Sequence, residues 1–316
     1  MSETIIIAIG ICTYRRPHLA LTLASIGAQA LPPGIALHVL VADNDNYPTG
    51  STAVQAFAAL HPVTITHLHC PGANVSLARN ALLEAAGHLQ LRYMAFLDDD
   101  EVASPGWIAA LWLRKTETGA VVVLGPVHAK YSPETPGWMA AARLHDLRPE
   151  CGADGLPDMG YTGNVLLDLA APALKGLRFD LARGRTGGED TAFFNMARRD
   201  GAAFAYAPDA LAEEEVPPSR ARLGWLVHRR YRMGQTHASL SHPAPAHLRA
   251  ALAALSLAKA AGAFVLAAPF LFSRAGRARA VMRSALHLGA LSAHLGARRI
   301  EPYAPAIASL PRKASS

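Results

Sequence analysis

The first two-thirds of the chain alternate strand-like runs with helix-like segments. Four runs rich in apolar and β-branched residues are joined by single helical segments and short polar loops; they are Ile5–Ile9, Leu37–Val41, Val63–Leu68 and Tyr93–Leu97. Strands joined through helices pair in parallel, because a tight hairpin would reverse the direction of the chain. We therefore predict an α/β fold with a doubly wound, mostly parallel sheet.

Three consecutive aspartates, Asp98, Asp99 and Asp100, directly follow the fourth run. That run is apolar throughout, as in a strand buried on both faces, so it should deliver these carboxylates to an edge of the sheet. Neighbouring carboxylates repel one another unless a cation or hydrogen-bond donors lie between them. Clustered carboxylate oxygens suit Mg²⁺ or Mn²⁺. A solvated acidic turn before a helix would have the same sequence, and the triplet alone leaves both interpretations open.

Two other predicted strands also end in polar clusters, Thr13-Tyr14-Arg15 and Asp43-Asn44-Asp45. Ligands of open α/β sheets bind beyond the carboxyl ends of the strands. Three clusters at such positions favour a ligand site that includes a metal over an acidic turn.

The pattern becomes mixed after Pro126. Short strands are predicted at 164–167 and 203–206, after another at 121–124, and residues 131–159 are rich in loop-forming residues. The segment Gly187-Gly188-Glu189-Asp190 precedes a predicted helix at 191–199. The run Glu213-Glu214-Glu215 is expected to mark the end of the catalytic region.

The charge is distributed unevenly along the chain. Residues 219–316 carry 15 of the 30 Lys and Arg residues but only one of the 24 acidic residues, so the net charge is −8 before this point and +14 after it. The basic residues are interleaved with long apolar stretches, which is untypical of a nucleic-acid-binding tail and fits an anionic membrane surface. We expect a catalytic part at 1–240 and a basic helical tail at 241–316, with no nucleic-acid partner.

One stretch of this tail, Ala254–Phe272, has a single charge in 19 residues. That length is near the lower limit for crossing a bilayer, and its alanines and proline weaken insertion. We favour a helix that lies in the membrane plane or re-enters it over one that spans the membrane. A further alternative is an ordinary helix pair packed on the main domain. The three cysteines show no CxxC spacing, and the first residues lack signal-peptide features, so we expect reduced thiols in the cytoplasm, at the inner face of the cell membrane.

The chain resembles the family 2 inverting glycosyltransferases of the GT-A fold, and is most similar to the bacterial branch that builds exopolysaccharide repeat units on lipid carriers. The resemblance covers about residues 4–240. The motifs that carry it occur in the family's order and spacing; they are Ile11-Cys12-Thr13-Tyr14-Arg15-Arg16-Pro17, Asp43, Asn74 with Ala78-Arg79-Asn80, Leu97-Asp98-Asp99-Asp100-Glu101, Tyr161-Thr162-Gly163-Asn164 and Gly188-Glu189-Asp190.

The resemblance implies a nucleotide-diphospho-sugar donor, with UDP as the expected nucleotide and GDP or dTDP as alternatives. It assigns Thr13, Tyr14, Arg15, Asp43, Arg79, Asp98 and Asp99 to the nucleotide pocket, with Asp43 accepting a hydrogen bond from the base. It assigns Asp100 and Asp98 to the metal, and Gly163, Asn164 and Glu189 to the donor sugar or the acceptor. The alternatives are that Asp43 caps a helix or holds a turn, and that Arg79 is a solvated helix residue.

Asp190 is the expected catalytic base. An inverting transfer needs one carboxylate to take the proton from the acceptor hydroxyl, and the matching aspartate does so in similar enzymes. Gly187 and Gly188 would let this loop approach the sugar. The alternative is that Asp190 only caps the helix that follows it.

The chain departs from the pattern of processive synthases. Their Gln-x-x-Arg-Trp signature is replaced by His228-Arg229-Arg230-Tyr231-Arg232, which favours addition of a single sugar. No histidine near Glu213–Glu215 matches a metal ligand of some related enzymes. The expected acceptor is a saccharide or a polyprenyl-diphosphate-linked oligosaccharide. The alternatives are a nucleotidyltransferase, which usually has a Gly-rich phosphate loop that this chain lacks, and a non-catalytic sugar-nucleotide-binding partner subunit.

Overall fold

The computed structural model describes residues 4–152, 155–240, 245–270 and 272–300. The strands within these ranges are β1 (Ile5–Thr13), β2 (Ile35–Asp43), β3 (Thr64–His69), β4 (Tyr93–Leu97), β5 (Glu101–Ala103), β6 (Val122–Leu124), β7 (Val127–Tyr131), β8 (Asn164–Asp168), β9 (Phe204–Tyr206) and β10 (Ala212–Val216). The α-helices are α1 (Leu19–Gly27), α2 (Ser51–Leu60), α3 (Val75–His88), α4 (Trp107–Thr118), α5 (Gly137–Ala142), α6 (Glu189–Arg199), α7 (Leu223–Leu240), α8 (Ala246–Leu266) and α9 (Arg274–His294).

Seven of these strands form one twisted sheet in the order β3-β2-β1-β4-β8-β6-β9. Strands β1 to β4 pair in parallel, as predicted. Strand β8 runs antiparallel to both β4 and β6, while β6 and β9 are parallel. Because Asn164 pairs with Leu97, β8 begins at the edge where β4 ends. The carboxyl ends of β1, β2 and β4 therefore share one edge with the start of β8.

The sheet is buried on both faces, which explains its continuous apolar runs. On one face it packs against Leu19 and Leu23 of α1 and Trp107 of α4. On the other it packs against Leu82 of α3 and Phe193 of α6. All five side chains are no more than 2 % exposed, so the sheet edge is fixed by a closely packed core.

A small second sheet lies beyond the end of β4. Strand β10 pairs antiparallel with β5 and parallel with β7, and Glu214 faces Glu101 in this register. The glutamate run that was expected to end the catalytic region is therefore a paired strand. Three-residue strands such as β5 are too short for a recognisable alternation, so the sequence did not indicate this sheet.

The last three helices form a layer in which α7 and α8 both pack on α9. Glycines allow the close crossing of α7 and α9: a methyl group added at Gly234 would lie 1.8 Å from the Leu286 carbonyl oxygen, and one at Gly289 would lie 1.9 Å from that of Tyr231. Helix α7 thus packs with the C-terminal helices, although the expected division at residue 240 assigned it to the catalytic part.

Helix α8 is the most apolar of the three. In the described part of the chain, His247–Leu266 is the one helix long and apolar enough to cross a membrane, and only 22 % of its most apolar window is buried. The expected single stretch at 254–272 is divided: α8 ends at Leu266, and a short 3₁₀ helix follows at Ala268–Phe270. Pro269 accounts for this break, because proline cannot continue the helical hydrogen bonds. Leu271 lies outside the described residues.

Candidate active site

Asp99 connects the loop after β1 to the end of β4. The Thr13 hydroxyl donates a hydrogen bond to Asp99 Oδ2 at 2.7 Å, and the Tyr14 backbone N–H lies 3.4 Å from the same oxygen. Burial raises the pKa of Asp99 to about 7, against the opposing effect of the Thr13 bond. Thr13 and Asp99 are thus bonded to each other at the predicted nucleotide pocket.

Arg79 lies between two carboxylates of the site. Its guanidinium donates a hydrogen bond to Glu189 Oε1, and one of its nitrogens lies 3.7 Å from Asp98 Oδ1. The Arg79 and Glu189 side chains are each only 8 % exposed. Burial acts to lower the pKa of Arg79, but Glu189 and Asp98 outweigh it, and the net shift is upward. The structure therefore does not support the alternative that Arg79 is a solvated helix residue.

Asp190 lies in the first turn of α6, beside this pair. Its Oδ1 accepts a hydrogen bond from the Thr191 backbone N–H at 2.6 Å. Within the described residues no donor bonds to Oδ2. The N-cap is Gly188, so Asp190 does not cap the helix, but the positive end of the helix dipole favours its negative charge.

Asp98, the first residue of the triplet, is close enough to Asp190 for their charges to interact. Desolvation raises the pKa of Asp98, Arg79 opposes this rise, and the charges of Asp100 and Asp190 add to it. The predicted base and the predicted metal ligands are thus close enough to influence one another, although they are far apart in the sequence.

The loop that leads to Asp190 is fastened to α3. The Ser76 hydroxyl donates to the Asp180 carbonyl at 2.8 Å, and the Asn80 amide exchanges two hydrogen bonds with the backbone of Phe179, at 2.8 and 2.9 Å. Asn74 caps α3 and also donates to the Leu181 carbonyl. The polar face at the start of α3 therefore positions this loop.

Gly188 is required for a reason that differs from the expected one. Its φ is +86°, and an added methyl group would lie 2.0 Å from Thr236 Cγ2 of α7. Gly188 therefore makes a close approach to α7, and an approach of this loop to the sugar stays a prediction. Arg183 reinforces this contact, because its guanidinium donates to the Ser239 hydroxyl of α7 at 3.0 Å.

Asp100 lies between two arginines. Arg16 Nη2 is 3.3 Å from Asp100 Oδ2, and Arg220 Nη1 is 4.0 Å from the same oxygen. Arg220 also donates to Glu214 Oε1 at 2.7 Å. Desolvation raises the pKa of Glu214, and the charge of Asp100 raises it further. Arg220, which precedes the region that replaces the processive signature, is thus paired with both Asp100 and Glu214.

Gly163 lies against the acidic cluster. A methyl group added there would lie 2.7 Å from Glu101 Oε1 and 3.4 Å from Asp98 Oδ2. Glu101 is 3 % exposed and accepts the Asp98 backbone N–H at 3.1 Å. Burial raises the pKa of Glu101 well above its usual range, and Asp98 adds to this rise. Gly163 therefore lies at the site, and its lack of a side chain leaves space for the carboxylates of Glu101 and Asp98.

Asn164 does not occupy the predicted sugar-binding position. It is completely buried, and its amide accepts from the Trp107 indole and donates to the Pro126 and Ala210 carbonyls, at 2.7 to 2.9 Å. These bonds hold the start of β8 in the core. In this structure the Asn164 amide is therefore occupied by contacts within the core.

Asp43 is also completely buried. Its Oδ2 accepts the Gly50 backbone N–H at 2.6 Å, and its Oδ1 accepts that of Asp45 at 3.2 Å. This is the turn role that the sequence allowed, and in this arrangement the carboxylate does not face an open pocket. The neighbouring Asp45 receives two bonds of 2.8 Å from Arg15.

Tyr14 and Arg15, both predicted to bind the nucleotide, have exposed side chains. Tyr14 is 39 % exposed, and the Arg15 guanidinium lies 5.1 Å from the centre of its ring. The pairing of Arg15 with Asp45 joins the loops after β1 and β2. Both side chains stay candidates for contact with a planar base.

The acidic cluster fits a cation that is shared with a substrate. No three His, Cys, Asp or Glu side chains among the described residues are grouped as a metal centre. Mg²⁺, however, is commonly bound by one or two carboxylates together with substrate phosphates. Asp98 and Asp100 are such a pair, and their mutual repulsion would be relieved by a cation.

Four charged residues of the site had no role assigned from the sequence; they are Arg16, Glu101, Glu214 and Arg220. A strand period of two would have indicated Glu214, because it places the middle glutamate of 213–215 on the opposite face from its neighbours. The other three are brought together by loops, and no local pattern marks them.

Comparison with known proteins supports the family suggested by these residues. The family model described as glycosyl transferase family 2 matches residues 8–166, which include the triplet but not Asp190. The succinoglycan biosynthesis protein ExoM of Rhizobium meliloti (strain 1021) is 42 % identical over 307 residues, which cover 96 % of this chain and 97 % of that protein.

Solved structures support the same fold. The mannosyltransferase PcManGT from Pyrobaculum calidifontis, in complex with GDP-Man and Mn²⁺, aligns with a TM-score of 0.58 and 19 % identity over 91 % of this chain and 86 % of that one. S. aureus TarS 1-349 in complex with UDP-GlcNAc aligns with a TM-score of 0.52 and 13 % identity over 92 % of each chain. The predicted GT-A-type fold is confirmed. Through the family match over half of its length and the 42 % identity over nearly all of it, this chain belongs to glycosyltransferase family 2.

Proposed function

We propose that this enzyme transfers one sugar, with inversion, from a nucleotide-diphospho-sugar to an acceptor hydroxyl, in the presence of Mg²⁺ or Mn²⁺. The observation that carries the proposal is the juxtaposition of Asp190 with the acidic triplet through Arg79 and Asp98. Related structures that hold UDP-GlcNAc or GDP-Man support a nucleotide-sugar donor. We propose UDP as the nucleotide.

Asp190 is proposed as the general base. Its carboxylate takes the proton from the acceptor hydroxyl while that oxygen forms a bond to the anomeric carbon. The bond from the anomeric carbon to the diphosphate oxygen breaks in the same step, so one carboxylate suffices and the configuration inverts. Thr191 and the helix dipole orient this carboxylate, and the contacts of the 179–188 loop with α3 and α7 hold the helix start in place.

The residues around the triplet are proposed to receive the diphosphate. Asp98 and Asp100 would hold the divalent cation, which when bound neutralises charge that develops on the departing diphosphate. Arg16 and Arg220, both beside Asp100, add positive charge from the protein. Arg79 balances Asp98 and Glu189, and Thr13, Tyr14, Arg15 and Asp99 are proposed to shape the nucleotide pocket.

The acceptor is proposed to be a saccharide on a lipid carrier, used in exopolysaccharide synthesis at the cytoplasmic face of the membrane. The 42 % identity to a succinoglycan biosynthesis protein supports this class of pathway. The apolar and largely exposed α8, within a layer free of acidic residues, supports peripheral membrane contact.

The Asp190→Asn variant tests the assignment. The substitution keeps the size of the side chain and removes its basicity, so we expect turnover to fall about 10²- to 10⁴-fold while nucleotide-sugar binding stays within about twofold. Release of nucleoside diphosphate from a panel of nucleotide sugars with Mg²⁺ or Mn²⁺ measures turnover, and thermal stabilisation measures binding. Asp200→Asn, at the other end of α6, is the matched control and should leave both unchanged.

The products distinguish the alternative functions. Release of inorganic pyrophosphate would indicate a nucleotidyltransferase. Binding without turnover by the wild-type protein would indicate a partner subunit. Full turnover by Asp190→Asn would disprove the proposed base.

A further inference from the structure

A pocket of about 510 Å³ that is open to solvent lies between α8 and α9, outside the site described above. Its walls consist mostly of alanine, glycine and leucine side chains. Its three polar side chains are all basic: Lys259 from α8, and Arg283 and His287 from α9. Arg283 and His287 are four residues apart on one helix, so they lie on the same face.

Among the described residues that line the pocket, none is acidic. The segment 219–300 contains no Asp or Glu at all, and this segment includes α7, α8 and α9. Burial lowers the pKa of His287, and the charges of Lys259 and Arg283 lower it further, together with His237 from α7. Because a lowered pKa favours neutral His287, the positive charge of the pocket is that of Lys259 and Arg283.

An apolar surface borders the same pocket. Leu255 and Leu266 are 50 % and 72 % exposed, and they lie four residues before and seven residues after Lys259, on its side of α8. A core helix of a soluble protein would be mostly buried, whereas only 22 % of the apolar window of α8 is buried. The surface thus offers hydrocarbon contact directly beside a concentration of positive charge.

We propose that this pocket binds the phosphate-bearing headgroup of a membrane lipid, with the hydrocarbon of that lipid along the exposed leucines of α8. Lys259 and Arg283 supply charge-assisted hydrogen bonds to the phosphate oxygens. Basic pockets between apolar helices bind lipid headgroups in this way. A soluble phosphate would use the charges but not the leucines, so the apolar border favours a lipid. The inference rests on the membrane contact in the proposed function and deepens it.

The pocket is connected to the candidate active site through α7. Helix α9 crosses α7 closely at Gly234 and Gly289, and α7 in turn contacts Gly188 through Thr236. A headgroup bound between α8 and α9 would therefore hold the membrane surface at a fixed position relative to the loop that carries Asp190.

Vesicle binding by the full-length protein tests the proposal. Phosphatidylcholine vesicles are compared with vesicles that also contain phosphatidic acid, whose headgroup is a phosphate monoester. The pocket variant is Lys259→Gln/Arg283→Gln, and the control is Arg249→Gln/Arg274→Gln, which removes the same charge from α8 and α9 outside the pocket. Because only the first loses phosphate contacts, we expect it to bind phosphatidic acid vesicles about tenfold more weakly than the control. Equal losses would overturn the proposal, since they indicate diffuse attraction.

A second variant keeps the charges and fills the space. A methyl group added at Gly262 meets no atom within 4 Å, so Gly262→Leu can be accommodated and projects into the pocket. We expect it to bind phosphatidic acid vesicles several-fold more weakly than wild type, and undiminished binding would overturn the proposal. This variant decides the question if the double variant does not fold.

Two further measurements are needed. One distinguishes a lipid from a soluble anion as the ligand, and the other distinguishes failure of the lipid pocket from failure of the proposed function. If inorganic phosphate or pyrophosphate stabilises the wild-type protein thermally as strongly as the vesicles do, the ligand is a soluble anion and the lipid assignment is overturned. Nucleotide-sugar binding is measured on the same wild-type preparation. If the wild-type protein binds phosphatidic acid vesicles selectively but does not bind nucleotide sugars, only the proposed function is contradicted. If it binds nucleotide sugars but shows no vesicle selectivity, only the lipid pocket is contradicted.

Discussion

At the scale of single residues, the candidate site pairs carboxylates with arginines. Arg79 contacts Asp98 and Glu189, and Arg220 contacts Glu214. Such pairs contribute little net stability, because desolvation offsets much of their attraction, but removing one partner leaves a buried charge unbalanced. We therefore expect the stability of the protein to fall more when one partner of such a pair is replaced than when both partners are replaced together.

Substitution of Arg79 tests this asymmetry. Arg79→Met leaves Glu189 charged and buried, so we expect the free energy of unfolding to fall by about 3 kcal/mol in urea titrations. The double variant Arg79→Met/Glu189→Met should recover most of this loss. Glu117→Gln, which breaks an exposed ion pair with Arg114, is the control and should cost less than about 0.5 kcal/mol. A double variant no more stable than the single one would disprove the interpretation.

Asp168 gives the structure a pH dependence away from the site. Burial acts to raise its pKa, but hydrogen bonds from Arg92 and Lys115, at 3.0 to 3.1 Å, outweigh it and lower the pKa below the usual 3.8. A carboxylate whose pKa is lower in the folded state stabilises the fold above its unfolded pKa. That contribution is lost as the pH falls through the folded value.

The Asp168→Asn variant should therefore be less stable than wild type by about 2 kcal/mol at neutral pH. The difference should be constant above about pH 5 and shrink below pH 3.8, where wild type also loses its charge. Denaturant titrations of both proteins across this range measure it. A difference that persists undiminished in acid would show that the charge of Asp168 is not the cause.

At the scale of elements, helix contacts determine the position of the loop before Asp190. The loop is bonded to the start of α3 and packs on α7 through Gly188 and Arg183. From the sequence we predict a helical segment at α3 and a helical tail that contains α9, but no helix is predicted at α7. The sequence did not indicate the contacts between these helices. The crossing of α7 and α9 depends on glycines, and helix propensity identifies a glycine only as an unfavourable residue within a helix.

Two glycines of α7 provide a matched test. Gly234→Ala places a methyl group 1.8 Å from the Leu286 carbonyl oxygen of α9, so we expect a cost of about 1 to 3 kcal/mol. Gly224→Ala adds a methyl group with no atom within 4 Å and should be neutral or stabilise by up to about 1 kcal/mol. Thermal melting of both variants measures the difference. A Gly234→Ala protein that melts at or above the wild-type temperature would show that α7 and α9 can move apart at their crossing without loss of stability.

At the scale of the whole molecule, an acidic α/β part is joined to a basic helical layer. The two parts share a small apolar cluster that includes Met139 of α5, Leu226 of α7 and Met282 of α9. The charge division was evident from the sequence, but the packing was not. Because α7 belongs to this layer by its contacts, we propose that the division of the chain precedes α7 and does not fall at residue 240.

The sequence by itself determined the family, the parallel sheet and the edge at which its polar clusters meet. These properties follow from local periodicity and motif spacing. Strand and helix geometry fixes which face or sheet edge a residue occupies once its place in that pattern is known. Only the tertiary structure decided the partner of each polar side chain. Arg79 and Glu189 are 110 residues apart and Thr13 and Asp99 are 86 apart, and the amide of Asn164 is bonded within the core. Hydrogen bonds between distant segments depend on packing and loop geometry, which no local pattern encodes.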